Sequence, residues 1–298
     1  MTPPIASAAV ELRDVSKHYG AVEALQGVSV DIQPGEVVAF LGPNGAGKST
    51  SIAIMLGLRR PTTGQALLFG LDPRSPLARA RTGVMLQESG VPGTLKVREL
   101  IDLFRSYYPD ALARKELLSR AGLDDKANAL LGTLSGGQKQ RVYFALAIAG
   151  NPDLIFLDEP TTGLDVEARL AFWEQIRAFA GGGKTIVLTT HNLQEADALA
   201  SRVVVINKGR VIADGTPAAI KARTAGKHVS FRVSQPLAAN LFDGLSLSRL
   251  DVTGGQVSFL SADPEPALKR AFASADLHDL QVVPAGLEEA FLTLTSAA

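Results

Sequence analysis

A continuous apolar run, Val37-Val-Ala-Phe-Leu41, meets a glycine-rich turn, Gly42-Pro-Asn-Gly-Ala-Gly-Lys-Ser-Thr50, without a break. Ser49 to Leu58 then takes on helical character. Strand, glycine turn and helix in that order is the context in which G-x-x-x-x-G-K-[ST] grips phosphate, and it predicts an α/β domain. Gly42, Gly45 and Gly47 let backbone N–H groups such as those of Asn44 and Ala46 turn toward phosphate oxygens, while Pro43, which has no N–H, belongs to the same phosphate-binding turn. The following helix N-terminus adds about half a positive charge. Lys48 is placed to reach β- and γ-phosphates, the Ser49 hydroxyl to ligate Mg²⁺, and Thr50 to donate to the α-phosphate. The plainer reading, a turn with a solvated lysine, does not account for the flanking strand and helix.

A second glycine-rich segment, Leu134-Ser-Gly-Gly-Gln138, opens another helix, whose face carries Val142, Ala145, Leu146 and Ala149. Ser135 suits the N-cap, and Gly136 and Gly137 expose backbone donors at the positive end of the helix dipole. The segment is fit to bind phosphate, and by itself it also reads as an ordinary capped turn. A lone nucleotide site has little use for two such grips, so their presence raises a site shared between two copies of the chain. Leu154-Ile-Phe-Leu157 is strand-like and ends in Asp158-Glu159. Asp158 is suited to hold Mg²⁺, and Glu159 to orient and deprotonate an attacking water. His191 follows another expected strand, Ile186–Thr190. Lys48, Glu159 and His191 thus fall just past the carboxyl ends of strands, where open α/β sheets bind ligands. From there His191 is placed to contact a γ-phosphate and position the water.

Composition narrows the partners. The 298 residues include 30 Lys+Arg and 30 Asp+Glu, so no global basic field steers nucleic acid or anionic lipid to the chain. The absence of cysteine excludes disulfides and zinc-thiolate sites. Met1-Thr-Pro-Pro-Ile-Ala-Ser has neither the basic start nor the apolar stretch of a signal peptide. No window approaches the roughly 20 apolar residues of a membrane span. Work at a membrane therefore requires a second chain to supply the span.

Residues 9–41 read as strands, with Val10 and Leu12 and then Val28, Val30 and Ile32 alternating with polar neighbours. Gln65–Phe69 and Val84–Leu86 add two more. From about 88 to 150 the pattern is helical, with Leu100, Leu103, Phe104 and Tyr107, then Leu117, Leu118 and Ala121, at helical spacing. Strands return at Leu154–Leu157, Thr185–Thr189 and Val203–Ile206, the last turning at Asn207-Lys-Gly209 into a hairpin with Arg210–Ala213. Residues 225–298 form a separate block. There Val229, Phe231 and Val233, and later Val257 and Phe259, alternate, while Leu268, Ala271, Phe272 and Ala275 share one helical face and Leu287, Phe291 and Leu294 another. A β-α-β-β-α-β order with a closing helix, as in ferredoxin-like domains, accommodates that pattern. Five Lys/Arg against eight Asp/Glu give this block a net charge of −3, which disfavours a basic nucleic-acid reader.

The order of the motifs is more specific than any one of them. The Lys48 loop (Walker A), Gln87 after a short strand, Leu134–Gln138, the Asp158–Glu159 strand (Walker B) and His191 together resemble the ATP-binding cassette (ABC) family over roughly residues 8 to 220. The resemblance implies a P-loop ABC ATPase domain over 8–224. Its expected parts are a mixed core sheet, an antiparallel β subdomain and a helical subdomain inserted at about 88–150, with a small α+β domain at 225–298. It also implies ATP and Mg²⁺ as cofactors. Tyr19 would stack on adenine, Gln87 would touch Mg²⁺ and face the membrane partner, and Asp165 in Thr162-Gly-Leu-Asp165 would be the D-loop aspartate. Many relatives carry Ser-Ala where this chain has Thr-Gly, a departure that leaves the aspartate in place. In the family two cassettes dock head to tail, each ATP lying between one chain's Lys48 loop and the other's Ser135 segment. That arrangement implies a homodimer closed by ATP and reset by hydrolysis.

Gln87-Glu-Ser-Gly-Val-Pro-Gly-Thr-Leu-Lys-Val-Arg-Glu99 and Gly286-Leu-Glu-Glu-Ala-Phe-Leu-Thr-Leu-Thr295 are similar to segments of the daunorubicin-resistance type of exporter ATPase. This likeness implies a separate membrane permease, export of a drug, antibiotic or lipid-like amphiphile, and residence on the cytoplasmic face of the cell membrane. No nucleic-acid partner is expected. Two other classes share parts of the pattern. A soluble cassette acting on nucleic acid, the ribosome or an assembly complex would co-purify with those rather than with a multi-span protein. A non-enzymatic nucleotide sensor would have no use for both Glu159 and His191.

Overall fold

A computed structural model describes residues 8–86, 90–222, 226–235, 237–238 and 240–297. The chain separates into two compact units, the first closing at Pro217 and the second running from Ala218 to Ala297. In the first unit β1 (Val10–Tyr19) and β2 (Val22–Ile32) lead into β3 (Val37–Leu41), the glycine turn and α1 (Lys48–Met55). Next come β4 (Thr63–Leu68), α2 (Pro76–Ala80) and β5 (Thr82–Met85), then α3 (Val97–Arg105), α4 (Arg114–Arg120) and α5 (Gly136–Ala147). The unit finishes with β6 (Leu154–Asp158), α6 (Val166–Gly181), β7 (Thr185–Thr189), α7 (Leu193–Leu199), β8 (Arg202–Asn207) and β9 (Arg210–Gly215). A short α8 (Pro217–Ala222) follows.

Two sheets organise the first unit. β2, β1 and β4 form an antiparallel three-stranded sheet, and six strands form a mixed sheet in the order β5-β6-β7-β3-β8-β9. All neighbours in the larger sheet are parallel except the β8–β9 pair. Every residue of β3 and of β7 is buried, as the apolar runs Val37–Leu41 and Ile186–Leu188 suit strands covered on both faces. Phe40 and Asp158 both pair with Thr189, so the carboxyl ends of β3, β7 and β6 lie side by side. That register brings the glycine turn, Asp158-Glu159 and Thr190-His191 to one edge of the sheet. Leu12 and Leu25, Val38 and Phe40, Ile52 and Ile54, and Phe156 pack into one core joining both sheets to α1. Burial of each such side chain contributes about 1.5–3 kcal/mol.

The expected β8–β9 hairpin forms, with Asn207 opposite Arg210 and both turn residues, Lys208 and Gly209, at positive φ. The helical insertion departs from its expected face. Leu100 and Ile101 are buried, but Leu103 and Tyr107 are exposed. The helix stops at Arg105, two residues short of Tyr107, whose ring instead meets Phe104 edge to face at 5.9 Å. No helix among the described residues is long and apolar enough to cross a membrane.

In the second unit β10 (Lys227–Val233), β11 (Ser248–Thr253), β12 (Gln256–Ser261) and β13 (Leu277–Pro284) form an antiparallel sheet ordered β11-β12-β10-β13. α9 (Glu265–Ser274) and α10 (Leu287–Ala297) complete it. The described residues between β10 and β11 make turns rather than the first crossover helix expected there. Leu241, Phe242 and Leu245 from those turns still pack on Phe231 and Phe259, filling the place of a helix. On α9, Ala267 and Ala271 face the core and Phe272 turns outward, because Leu268 and Ala275 already flank the inward side.

Candidate functional site

The glycine turn is set by close backbone approaches. An added Cβ at Gly42 would lie 2.3 Å from the Ile206 carbonyl oxygen. At Gly47, with φ of 110°, it would lie 2.6 Å from Leu25 Cδ2 and 2.8 Å from the Ala24 carbonyl oxygen. Only glycine satisfies both positions. Gly47 is the N-cap of α1, and the Lys48 ammonium folds back to donate to the carbonyls of Gly42 (2.6 Å) and Pro43 (3.2 Å). Burial pushes the Lys48 pKa below its ordinary value, while the nearby charges of Glu159 and Asp158 oppose that shift. Ser49 is exposed at the helix start and Thr50 half-buried beside it.

Asp158 ends β6 and accepts a hydrogen bond from the Thr189 hydroxyl. Glu159 follows in the left-handed region, at φ of 50°. Its N–H donates to the Thr189 carbonyl at 3.1 Å, which turns the side chain out of the strand. For a non-glycine residue this conformation costs on the order of 1–3 kcal/mol and is met where surrounding structure enforces it. The Glu159 carboxylate then meets His191. Nδ1 lies 2.6 Å from Glu159 Oε2, and the His191 N–H and the Thr162 hydroxyl each approach the same oxygen at 3.4 Å. A carboxylate at Nδ1 selects the tautomer with its proton there and leaves Nε2 facing outward. The imidazole side chain is 68% exposed and the carboxylate only 16%, so the ring is held by this pairing rather than by packing.

Leu134–Gln138 and Asp165 form a second cluster. Ser135 caps α5, accepting from the Gln138 N–H at 3.3 Å, and the Gln138 side chain returns the bond to the Ser135 N–H at 3.0 Å. Gly137 packs on α6, where an added Cβ would come 3.2 Å from Ala168 Cβ. Asp165 caps α6 through the Ala168 N–H at 2.8 Å. Ser135, Gly137, Gln138 and Asp165 thereby line one open concavity with Arg141 and Glu167. Among the described residues no hydrogen bond joins this cluster to Gly42–Thr50.

The ABC transporter family profile matches residues 25–162. Nod factor export ATP-binding protein I of Paraburkholderia xenovorans is 39% identical over 297 residues, covering 97% of each chain. The chain belongs to the ABC transporter ATPase family. A solved ATP-binding subunit of an ABC transporter superposes with a TM-score of 0.65 at 30% identity, over 72% of this chain and 93% of its own. A dimeric ATP-binding cassette in a post-hydrolysis state, bound to ADP and Pi, superposes with a TM-score of 0.62 at 29% identity, over 70% of this chain and 98% of its own. As an ABC ATPase the protein binds ATP and couples its hydrolysis to transport.

The remaining positions in this ABC ATPase fall as follows. Tyr19 ends β1 and is 44% exposed, and the Lys17 ammonium sits 5.1 Å from its ring centroid. Gln87 lies outside the described residues. Several residues were missed by sequence reasoning. Thr189 looks like one more strand residue until the register places it between Phe40 and Asp158. Glu195 is fully buried behind His191, bound by Thr161 and Trp173. Its available signal was an acid four residues after His191 in a segment otherwise rich in alanine and leucine. Leu58, Val84, Leu86 and Tyr108 line an apolar groove. In sequence Val84 and Leu86 are only part of a short apolar strand, and the fold shows that they share an exposed face with Leu58.

Proposed function

We propose that the protein is the ATP-hydrolysing subunit of an exporter that acts as a homodimer. It would power efflux of a drug, antibiotic or lipid-like substrate through a separate permease, at the cytoplasmic face of the cell membrane. The observation that carries the dimer is the separation of the Lys48–Glu159–His191 cluster from the Ser135–Asp165 cluster within one chain. Each cluster offers half of a phosphate site, and a second copy in head-to-tail contact completes both. Export is supported by the relatives named for Nod factor export, and the drug-type substrate by the likeness of residues 87–99 and 286–295 to daunorubicin-resistance ATPases. The apolar groove of Leu58, Val84, Leu86 and Tyr108 is the surface we assign to the permease.

The chemistry follows from the side chains. Positive-φ Gly47 and the α1 N-terminus aim backbone donors into the turn, and the Lys48 ammonium is already directed there by the Gly42 and Pro43 carbonyls. This cradle fits the β- and γ-phosphates of ATP. Tyr19 offers a ring for adenine, and Thr50 a donor for the α-phosphate. Ser49, Gln87 and Asp158 are a hydroxyl, an amide and a carboxylate, an oxygen donor set suited to Mg²⁺. Bound there, Mg²⁺ would neutralise charge on the β- and γ-phosphates. Glu159 accepts the proton of the attacking water while His191 holds that carboxylate through Nδ1–H and offers the Nε2 lone pair to orient that water beside the γ-phosphate. Ser135, Gly136, Gly137 and Gln138 of the second copy stabilise the charge of the γ-phosphate, and Asp165 lies at the seam.

A trans-complementation assay tests the shared site. Ser135→Arg and Lys48→Ala chains are each expected to be inactive as homodimers. A 1:1 mixture pairing at random places one intact site in half of the dimers, so recovery of about one quarter of wild-type ATPase is expected. Confirmed heterodimers without any recovery would refute the proposal.

A further inference from the structure

Behind the Glu159–His191 pair lies a carboxyl group that touches no solvent. Glu195, in the first turn of α7, is 0% exposed. Its Oε1 accepts from the Thr161 hydroxyl at 2.9 Å and from the Trp173 indole N–H at 3.1 Å. The Thr190 side chain also lies close enough to the carboxyl to favour its charged form. Among the described residues Oε2 has no partner at all. An acid in such a place costs stability unless something requires it.

Its partners show what that requirement is. Thr161 follows Glu159 by two residues, and Thr190 immediately precedes His191. Trp173 belongs to α6, whose first turn is capped by Asp165 and packed against Gly137. Thr161, Trp173 and Thr190 are each less than 10% exposed, so their positions are fixed by packing as well as by Glu195. The Glu159–His191 pair itself has little packing on its outer side. We infer that Glu195 is a positioning residue for the hydrolytic step, acting through Thr161, Thr190 and Trp173 to hold the Glu159–His191 pair and the Asp165-capped helix in one fixed relation. The inference rests on the roles proposed above for Glu159 and His191.

Glu195 cannot itself serve as a base for ATP hydrolysis, because no water reaches it. Burial raises its pKa, the hydrogen bonds it accepts oppose that shift, and the neighbouring Glu159 charge adds to it. Glutamine has the same length, carries an acceptor at the Oε1 position and is neutral, so it preserves the link. Alanine removes it. Through this link the two half-sites of one chain, each facing a different nucleotide in the dimer, share a single internal strut.

Steady-state ATPase of the full-length Glu195→Gln, Glu195→Ala and Thr161→Val chains tests the inference. Far-UV circular dichroism and the melting temperature report whether the fold is intact. Glu195→Gln is expected to keep kcat within about threefold of wild type. Loss of positioning in Glu195→Ala should lower kcat about 10- to 100-fold while the KM for ATP stays within about threefold. Thr161→Val removes one donor and preserves shape, and should lower kcat about 2- to 10-fold with KM unchanged. It carries the test if the alanine chain does not fold. Wild-type kcat in the folded Ala and Val variants overturns the inference, as does a parallel change of kcat and KM, or a glutamine variant as impaired as alanine. A Glu159→Gln control separates the two levels of reasoning. If it abolishes turnover while the Glu195 and Thr161 variants are normal, only the strut fails. If it hydrolyses ATP normally, the role given to Glu159 fails whatever Glu195 does.

Discussion

Replacing Thr189 by valine probes the site through a residue that never touches nucleotide. Thr189 is 1% exposed in the middle of the sheet, paired on one side with Phe40 and on the other with Asp158. Its hydroxyl donates to Asp158 Oδ1 and accepts weakly from the Glu159 N–H at 3.3 Å. Valine keeps the β-branched shape, and the backbone bond from the Glu159 N–H to the residue-189 carbonyl survives. The substitution therefore removes one donor to a carboxylate and little else. A hydrogen bond to a charged group contributes about 1.5–3 kcal/mol. Asp158 is only partly buried, so in the isolated chain water replaces much of that bond, and unfolding should lose about 1–2 kcal/mol. At roughly 2–4 °C per kcal/mol for a unit of this size, the melting temperature should fall by about 2–8 °C. In the closed dimer water is excluded and the full value applies, which corresponds to about a 10- to 150-fold loss of kcat. Nucleotide affinity rests mainly on Gly42–Thr50 and should change less than about threefold. Thr189→Ser restores the hydroxyl and should recover turnover despite a buried methyl lost. If serine is as slow as valine, or valine as fast as wild type, the hydroxyl does not hold Asp158 for catalysis.

Three further outcomes follow from the same geometry. Glu159→Gln should bind ATP yet slow turnover by about 10²- to 10⁴-fold, the usual contribution of a general base, and should elute as a dimer with saturating ATP; a monomer that hydrolyses normally refutes the assignment. Lys48→Ala removes the ammonium held by the Gly42 and Pro43 carbonyls and should weaken ATP binding about 10- to 100-fold in a titration, so an unchanged affinity contradicts the role given to that lysine. Glu195 has a folded-state pKa raised above the unfolded value near 4.5, so the unfolded chain ionises first as pH rises and stability is lost from that point upward. Glu195→Gln should therefore melt higher than wild type at pH 8, and the difference should shrink toward pH 4.5. A difference independent of pH would show that the folded-state pKa of Glu195 is not raised.

The sequence discloses the parts of this ABC ATPase whose chemistry is local and hides those whose chemistry is tertiary. Gly42–Thr50 is legible because one segment supplies its own strand, turn, helix N-terminus and lysine. Close approaches such as Gly42 to Ile206 and Gly47 to Ala24 only explain why the glycines are there. Ser135–Gln138 is legible for the same reason, since its capping box closes within four residues. Asp158, Glu159 and His191 needed one more inference, that strand ends gather at one edge, and the β6-β7-β3 register satisfies it. Glu195 and Thr189 fall beyond that reach. Thr189 is an ordinary β-branched residue in an apolar strand, and its function comes from the neighbour across the sheet, 31 residues away. Glu195 is one acid among 30, distinguished only by a tryptophan 22 residues upstream and a threonine 34 residues upstream that close over it. The first crossover of the second unit fails for a different reason. Leu241, Phe242 and Leu245 have the apolar content of a helix, and the core accepts that content from turns equally well. Apolar spacing specifies what must be buried, whereas a helix also needs an uninterrupted backbone ladder. Gly244, at φ of 76°, interrupts such a ladder inside that segment.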